Sequence, residues 1–128
     1  MGTTLTHELR ETGLIVLAVQ GNLDAVGVDQ VREQFGGAIS HYTGPLIVDL
    51  SGVEYLSSAG LAMLVSKGKT QRGRGGDLVV VANTPRVLAV FELTEFGGLF
   101  SVYDTLEAAL EGVENTFPGQ VWSADSTD

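Results

Sequence analysis

Residues 46–61 read LIVDLSGVEYLSSAGL, and this stretch decides the fold. Residues 46–50 are apolar apart from one aspartate, which is typical of a strand buried on both faces of a sheet. The Ser-Gly pair at 51–52 predicts a turn after that strand. Ser57 and Ser58 then precede apolar residues at helical spacing, so either serine can cap a helix. The stretch therefore predicts a central strand that leads into a helix.

Strand and helix patterns alternate on both sides of this stretch. Strands are predicted over residues 3–9, 14–19, 78–82 and 99–103. Helices are predicted over residues 25–42, from 85 to 96 with an end at Gly97-Gly98, and over 106–113, in addition to the helix that begins after the two serines. The order β-β-α-β-α-β-α-β-α predicts an α/β fold. We expect a mixed, mostly parallel sheet of about five strands with four helices and an initial β-hairpin.

The length and composition indicate one domain. A chain of 128 residues, 44% hydrophobic, can bury one substantial core. We expect a domain over residues 1–113 and an acidic C-terminal tail over 114–128, because helical periodicity is lost from residue 115. The apolar runs are far shorter than the roughly 20 residues of a membrane span, and the chain has no cysteine. We therefore expect a cytoplasmic protein without a membrane span.

The charge balance excludes one class of partner. Sixteen acidic residues against seven basic residues give a formal net charge of −9. A negative field of this size repels nucleic acids and anionic lipid surfaces. We therefore expect no direct binding to nucleic acid.

Few side chains of the sequence suit catalysis. The two histidines, His7 and His41, have no serine or acid in a catalytic arrangement nearby, and no metal-ligand spacing is present. The triplet Gly68-Lys69-Thr70 matches only the end of a phosphate-binding loop, because Met63 stands where that loop needs glycine. The sequence predicts a protein that is not an enzyme and that holds neither a cofactor nor a metal.

Ser57 and Ser58 are the remaining candidates for a functional site. A helix N-terminus carries unpaired N–H groups and about half a positive charge, which favours an anion there by about 0.3–1 kcal/mol. A phosphoserine fits such a position. A serine that only caps the helix, and stabilises it by about 1 kcal/mol, explains the same pattern. The residues alone leave both interpretations open.

Four motifs occur along the chain in the order of the predicted elements. They are GNLD at 21–24, DLSGV at 49–53, LSSAGL at 56–61 and FELTEF at 91–96. GNLD is similar to a G-x-[LIV]-D turn, LSSAGL to a D-S-[ST]-G-[LI] helix start, and FELTEF to an [LF]-x-[LI]-[ST]-G-[LF] helix end. Over residues 3–113 the sequence thus resembles the STAS family of bacterial anti-sigma factor antagonists.

The resemblance implies a regulatory function. It implies a protein that binds an anti-sigma factor with serine kinase activity, releases the sigma factor and is switched off by phosphorylation, with a phosphatase reversing the switch. Alignment of the helix start places the phosphorylated residue at Ser58, with Ser57 as the second choice. The implied partner-binding residues are Asp24, Ser57, Ser58, Ala59 and Gly60. The sequence departs from the family pattern at Ser57, where the family has an acid, and at Ala59, where it has serine or threonine.

Two other functions remain open for the same fold. One is an unphosphorylated STAS scaffold or accessory module of a transporter or stress complex, in which Ser58 lies at a helix start without a regulatory role. The other is a small protein that binds a ligand or nucleotide in a pocket at the start of the second helix. Phosphate incorporation at Ser57 or Ser58 would separate the first alternative from the regulatory function.

Overall fold

The computed structural model describes residues 2–93 and 100–119. Its strands are β1 (Thr4–Leu9), β2 (Ile15–Leu23), β3 (Pro45–Leu56), β4 (Asp77–Val81) and β5 (Val102–Tyr103). Its helices are α1 (Ala25–Ile39), α2 (Ser58–Gly73), α3 (Pro85–Leu93) and α4 (Leu106–Thr116). The predictions for the end of the third helix, for residue 99 and for most of the acidic tail fall on 94–99 and 120–128, outside the described residues.

The five strands form one sheet in the order β1-β2-β3-β4-β5. β1 pairs antiparallel with β2, and the other neighbours pair in parallel. The hairpin closes tightly, because the Arg10 N–H donates to Leu14 O and the Gly13 N–H donates to Arg10 O, both at 2.8 Å. Gly13 has φ of 86°, a conformation that glycine adopts without a steric cost. The predicted mixed α/β fold with an initial hairpin is confirmed.

Three helices pack on one face of the sheet and one helix packs on the other. Side chains such as Leu17 and Val48 face α1, α2 and α3 on one side. Their neighbours Val16 and Ile47 face the other side, where α4 packs. Because alternate residues of β2 and β3 point to opposite faces, both strands need apolar residues at nearly every position of their first halves. This requirement explains the continuous apolar runs of the sequence.

Several predicted boundaries differ from the structure. Helix α4 continues to Thr116, so the first residues of the predicted tail are helical, and β5 covers only Val102–Tyr103 of the strand predicted over 99–103. The turn at Ser51-Gly52 is wrong, because β3 continues to Leu56. β2 likewise continues through the residues predicted as a turn, so that Gln20 pairs with Gly52 and Leu23 pairs with Leu56. Pairing between the strands and burial of Val53 and Leu56 outweigh the local turn preference. Helix α1 ends at Ile39 rather than 42.

A buried polar cluster explains the early end of α1. The Gln71 side chain is fully buried, and its Nε2 donates to Tyr42 O at 3.1 Å and to Gly44 O at 3.0 Å. Arg74 donates from one nitrogen to Ile39 O at 2.8 Å and to Tyr42 O at 3.1 Å. Gln71 near the end of α2 and Arg74, the residue after that helix, thereby supply donors to carbonyls at the end of α1 and in the loop that follows.

Tyr42 belongs to the same cluster. Its ring is buried, and its hydroxyl donates to Pro45 O at 2.7 Å. Burial raises the pKa of the Tyr42 hydroxyl to about 12. The loop between α1 and β3 is therefore held from inside the core.

Candidate functional site

The predicted site lies where β2 and β3 end side by side. Leu23 and Leu56 are paired at this edge of the sheet. Asp24 follows Leu23 and caps α1, while Ser57 follows Leu56 and caps α2. The topology thus brings two helix starts together that are separated by more than 30 residues in the sequence.

Ser57 is the helix cap, and its hydroxyl is fully engaged. The Ser57 Oγ accepts from the Gly60 N–H at 3.2 Å and donates to Leu23 O at 2.8 Å. The Ser57 N–H donates to the same carbonyl at 3.0 Å. Ser57 therefore joins the start of α2 to the end of β2, and its side chain is partly buried.

Ser58 has a different environment. It is the first residue of α2 and is exposed. Within the described part of the chain, the Ser58 hydroxyl has no hydrogen-bond partner. The N–H groups of Ser58 and Ala59 lie in the first helical turn, where no helical carbonyl is available to them. A group attached to the Ser58 Oγ would therefore meet solvent and the positive end of the helix.

Gly60 packs closely against the ends of β2 and β3. It is buried, and a Cβ at this position would lie 2.6 Å from Leu23 O and 2.7 Å from Leu56 Cδ1. Such distances are too short for nonbonded atoms, so only glycine lets α2 approach β2 this closely. Of the five predicted partner-binding residues, Ser58 is exposed, Asp24, Ser57 and Ala59 are half-buried, and Gly60 is buried.

Acidic residues lie on one side of the site. The Asp24 Oδ1 accepts from the Gly27 N–H at 2.8 Å, which fixes the carboxylate at the start of α1. Asp24 and Glu54 line the same open groove, which has a volume of about 580 Å³. A further negative charge near these two carboxylates would be disfavoured by like-charge repulsion.

Apolar surface lies around the site and along α2, and the sequence-based prediction missed it. Val26 is 65% exposed and Tyr55 is 48% exposed, one near the start of each helix. A second groove of about 580 Å³, which we call the α2 groove, is mostly apolar. It is lined by Ser58, Leu61, Ala62, Val65, Ser66, Lys69 and Thr70. The signal was present in the sequence, because the apolar residues of α2 span more positions than one buried face needs.

Two features are absent from residues 2–93 and 100–119. No cluster of three or more His, Asp or Glu side chains there could hold a metal ion. No helix in these ranges has the length and apolar character required to cross a bilayer.

Known proteins share both the sequence pattern and the fold. The family model for the Mlab, STAS domain matches residues 7–112. The anti-sigma-F factor antagonist RsfB of Mycobacterium tuberculosis is 30% identical over 79% of this chain and 82% of its own length. The anti-sigma-B factor antagonist of Listeria monocytogenes is 28% identical over 80% of this chain and 90% of its own length.

A solved structure agrees with these relatives. The crystal structure of an anti-sigma factor antagonist from Mycobacterium paratuberculosis superimposes with a TM-score of 0.81 at 30% identity, covering 88% of this chain and 95% of that one. The family match spans all the described strands and helices except the beginning of β1 and the last turn of α4. The chain belongs to the STAS domain family.

Proposed function

We propose that the protein is an anti-sigma factor antagonist: it binds an anti-sigma factor and so releases the sigma factor, and phosphorylation of Ser58 ends this binding. RsfB, the Listeria relative and the superimposed mycobacterial protein are anti-sigma factor antagonists, which supports the general role. The observation that carries the choice of residue is the contrast between the two serines. The Ser57 hydroxyl makes two hydrogen bonds, whereas the Ser58 hydroxyl is exposed and has no hydrogen-bond partner among residues 2–93 and 100–119.

The surface around Ser58 suits protein binding. Ser58 lines the α2 groove at its N-terminal end, and Val26 and Tyr55 add exposed apolar area near the two helix starts. Apolar surface of this kind, rimmed by polar groups, is typical of protein interaction sites. The anti-sigma factor would cover the α2 groove and contact Asp24 and Ala59 at its edge.

Phosphorylation would oppose such binding for two physical reasons. A phosphate adds about −1.5 to −2 charges at the start of α2, which is joined through Ser57 to Leu23, the residue before Asp24. It also places a strongly hydrated group at the end of an apolar groove, where a bound partner would strip its water. A combined penalty of about 3 kcal/mol weakens binding about a hundredfold. The ATP for the reaction would be bound by the partner kinase.

The binding test uses calorimetry against each purified anti-sigma factor of the source organism. We expect one of them to bind the wild-type chain and Ser58→Ala with similar affinity, and to bind Ser58→Asp about ten- to a hundredfold more weakly. Ser101→Asp is the matched control, because Ser101 is exposed and precedes β5 at the opposite end of the sheet. Its affinity should equal that of the wild type. Antagonism is refuted if none of the anti-sigma factors binds.

A second experiment tests the switch separately. The anti-sigma factor that binds is incubated with the chain and ATP, and the phosphate is located by mass spectrometry. We expect incorporation at Ser58 that Ser58→Ala abolishes and Ser57→Ala retains. Tight binding without phosphate incorporation would support antagonism but refute the proposed phosphorylation switch. Equal affinities of Ser58→Asp and the wild type would contradict the electrostatic argument.

A further inference from the structure

The outer edge of β1 offers backbone groups for a further strand. β1 stands at the end of the sheet, with β2 on its inner side, and no other described strand pairs with it. The Arg10 N–H points to β2, where it donates to Leu14 O. Because N–H directions alternate along a strand, the N–H and C=O groups of Leu5, His7 and Leu9 point outward. β1 contains neither proline nor lysine, residues that commonly protect such an edge.

An exposed apolar side chain lies on this edge. Leu9 is 61% exposed, although it lies on the same face of the sheet as the buried Leu5. A groove of about 590 Å³ lies further along β1, between the strand and α1. It is lined by Leu5, Thr6, His7, Gln34, Gly37 and Ala38. Space above Gly37 is open, because no atom lies within 4 Å of a Cβ built there.

We propose that two copies of this chain associate through antiparallel pairing of their β1 strands, with His7 of each copy opposite His7 of the other. The twofold axis then places Leu5 of one copy opposite Leu9 of the other. In this register, Leu5, His7 and Leu9 form hydrogen-bonded pairs, which is the pattern that their outward N–H and C=O groups require. The inference is independent of the proposed function.

The same register explains why the edge fits itself. The exposed Leu9 of one copy meets Leu5 of the other and lies at the groove beside α1, and the twofold axis repeats this contact. On the opposite face of the strands, Thr6 stands opposite Glu8 and Thr4 opposite Arg10, so no acidic residue faces another acidic residue. A register shifted by one residue would place side chains of opposite faces together. The net charge of −9 opposes association, so added salt should strengthen the dimer.

Disulfide trapping tests the register directly, because the chain has no cysteine of its own. In His7→Cys, the two new thiols lie opposite each other at a Cα separation of about 5.5 Å, which permits a disulfide. In Thr6→Cys, the matched control on the same exposed strand, the Cα atoms are offset by two residues and lie about 8 Å apart. Under mild oxidation we expect at least about tenfold more cross-linked dimer for His7→Cys.

Leu9→Glu provides the second arm. The exposed position of Leu9 means that the monomer should keep its fold, which circular dichroism checks. Combined with His7→Cys, Leu9→Glu should reduce cross-linking to the level of Thr6→Cys. In sedimentation equilibrium, the wild-type chain should show a dimer that Leu9→Glu removes. Equal cross-linking of His7→Cys and Thr6→Cys, or a wild-type chain that stays monomeric at millimolar concentration, would overturn the proposal.

Discussion

Replacement of Gly60 by alanine tests whether close contact between α2 and β2 supports the site. The added Cβ would lie 2.6 Å from Leu23 O, a backbone atom, and 3.0 Å from Leu23 Cβ. Overpacking of this kind costs about 1–3 kcal/mol. Alanine gains about 0.5–1 kcal/mol over glycine inside a helix. We therefore expect the free energy of unfolding to fall by about 1–2 kcal/mol.

Gly73→Ala is the matched control in the same helix. No atom of the described residues lies within 4 Å of a Cβ at position 73, so we expect only the helix preference to act there. The same substitution should thus have different effects on the free energy of unfolding at the two positions. Gly60→Ala should lower it, whereas Gly73→Ala should leave it unchanged or raise it by up to about 1 kcal/mol.

Urea unfolding followed by far-ultraviolet circular dichroism measures both variants. With a slope of about 2 kcal/mol per molar urea, Gly60→Ala should lower the midpoint by about 0.5–1 M. The slope itself should stay the same, because the surface exposed on unfolding does not change. A Gly60→Ala midpoint equal to that of Gly73→Ala would refute the argument that only glycine fits between Leu23 and Leu56.

Two further predictions concern the cap and the buried tyrosine. Ser57→Ala should lower the free energy of unfolding by about 1–2 kcal/mol in the same urea titration, because it removes the cap and the hydrogen bond to Leu23 O. Ser58→Ala should change it by less than about 0.5 kcal/mol. Equal losses of stability in the two variants would contradict the assignment of the capping role to Ser57 alone. The pKa of Tyr42 is about 12 in the folded protein, against 10 for an ordinary tyrosine, so the fold favours the neutral hydroxyl. This preference stabilises the fold fully below pH 10, and the stabilisation of about 2–3 kcal/mol is lost as the pH rises to 12. Tyr42→Phe should be less stable than the wild type at pH 8, because the hydrogen bond to Pro45 O is lost. That difference should narrow by about 1 kcal/mol at pH 11, and a constant difference across the range would count against the raised pKa.

Local patterns were sufficient for the core of the fold. The apolar run at 46–50 predicts a strand buried on both faces, and β3 has both faces covered. The prediction of a turn at Ser51-Gly52 is wrong, because the second half of β3 pairs with Gln20 and Gly21 of β2. This pairing joins residues that are distant in the sequence and leaves no local signal. The predicted end of α1 is wrong for a similar reason. Gln71 and Arg74 donate hydrogen bonds to the carbonyls of Tyr42 and Ile39, and the sequence near residue 40 does not reveal these distant donors.

The candidate site was predictable in position but not in its detailed roles. Ser57 and Ser58 are adjacent and chemically identical, and either can cap a helix when only the sequence is considered. The structure distinguishes them through Leu23 O, which accepts from the Ser57 hydroxyl and lies 34 residues earlier in the chain. The α2 groove was not predicted, because helical spacing of apolar residues does not show which of them stay accessible: Ala62 is exposed and Val65 is half-buried.

The arrangement of the helix start makes a switch at Ser58 compatible with a stable fold. Ser57 and Gly60 together hold α2 against β2, through the cap and through close contact with Leu23. Neither contact uses the Ser58 side chain, so a phosphate there would break no hydrogen bond of the fold. The free N–H groups of the first turn would even favour the added charge within the isolated protein. Under the proposed function, the cost of phosphorylation would therefore fall on the complex with the partner, and affinity would change about a hundredfold while the domain keeps its structure.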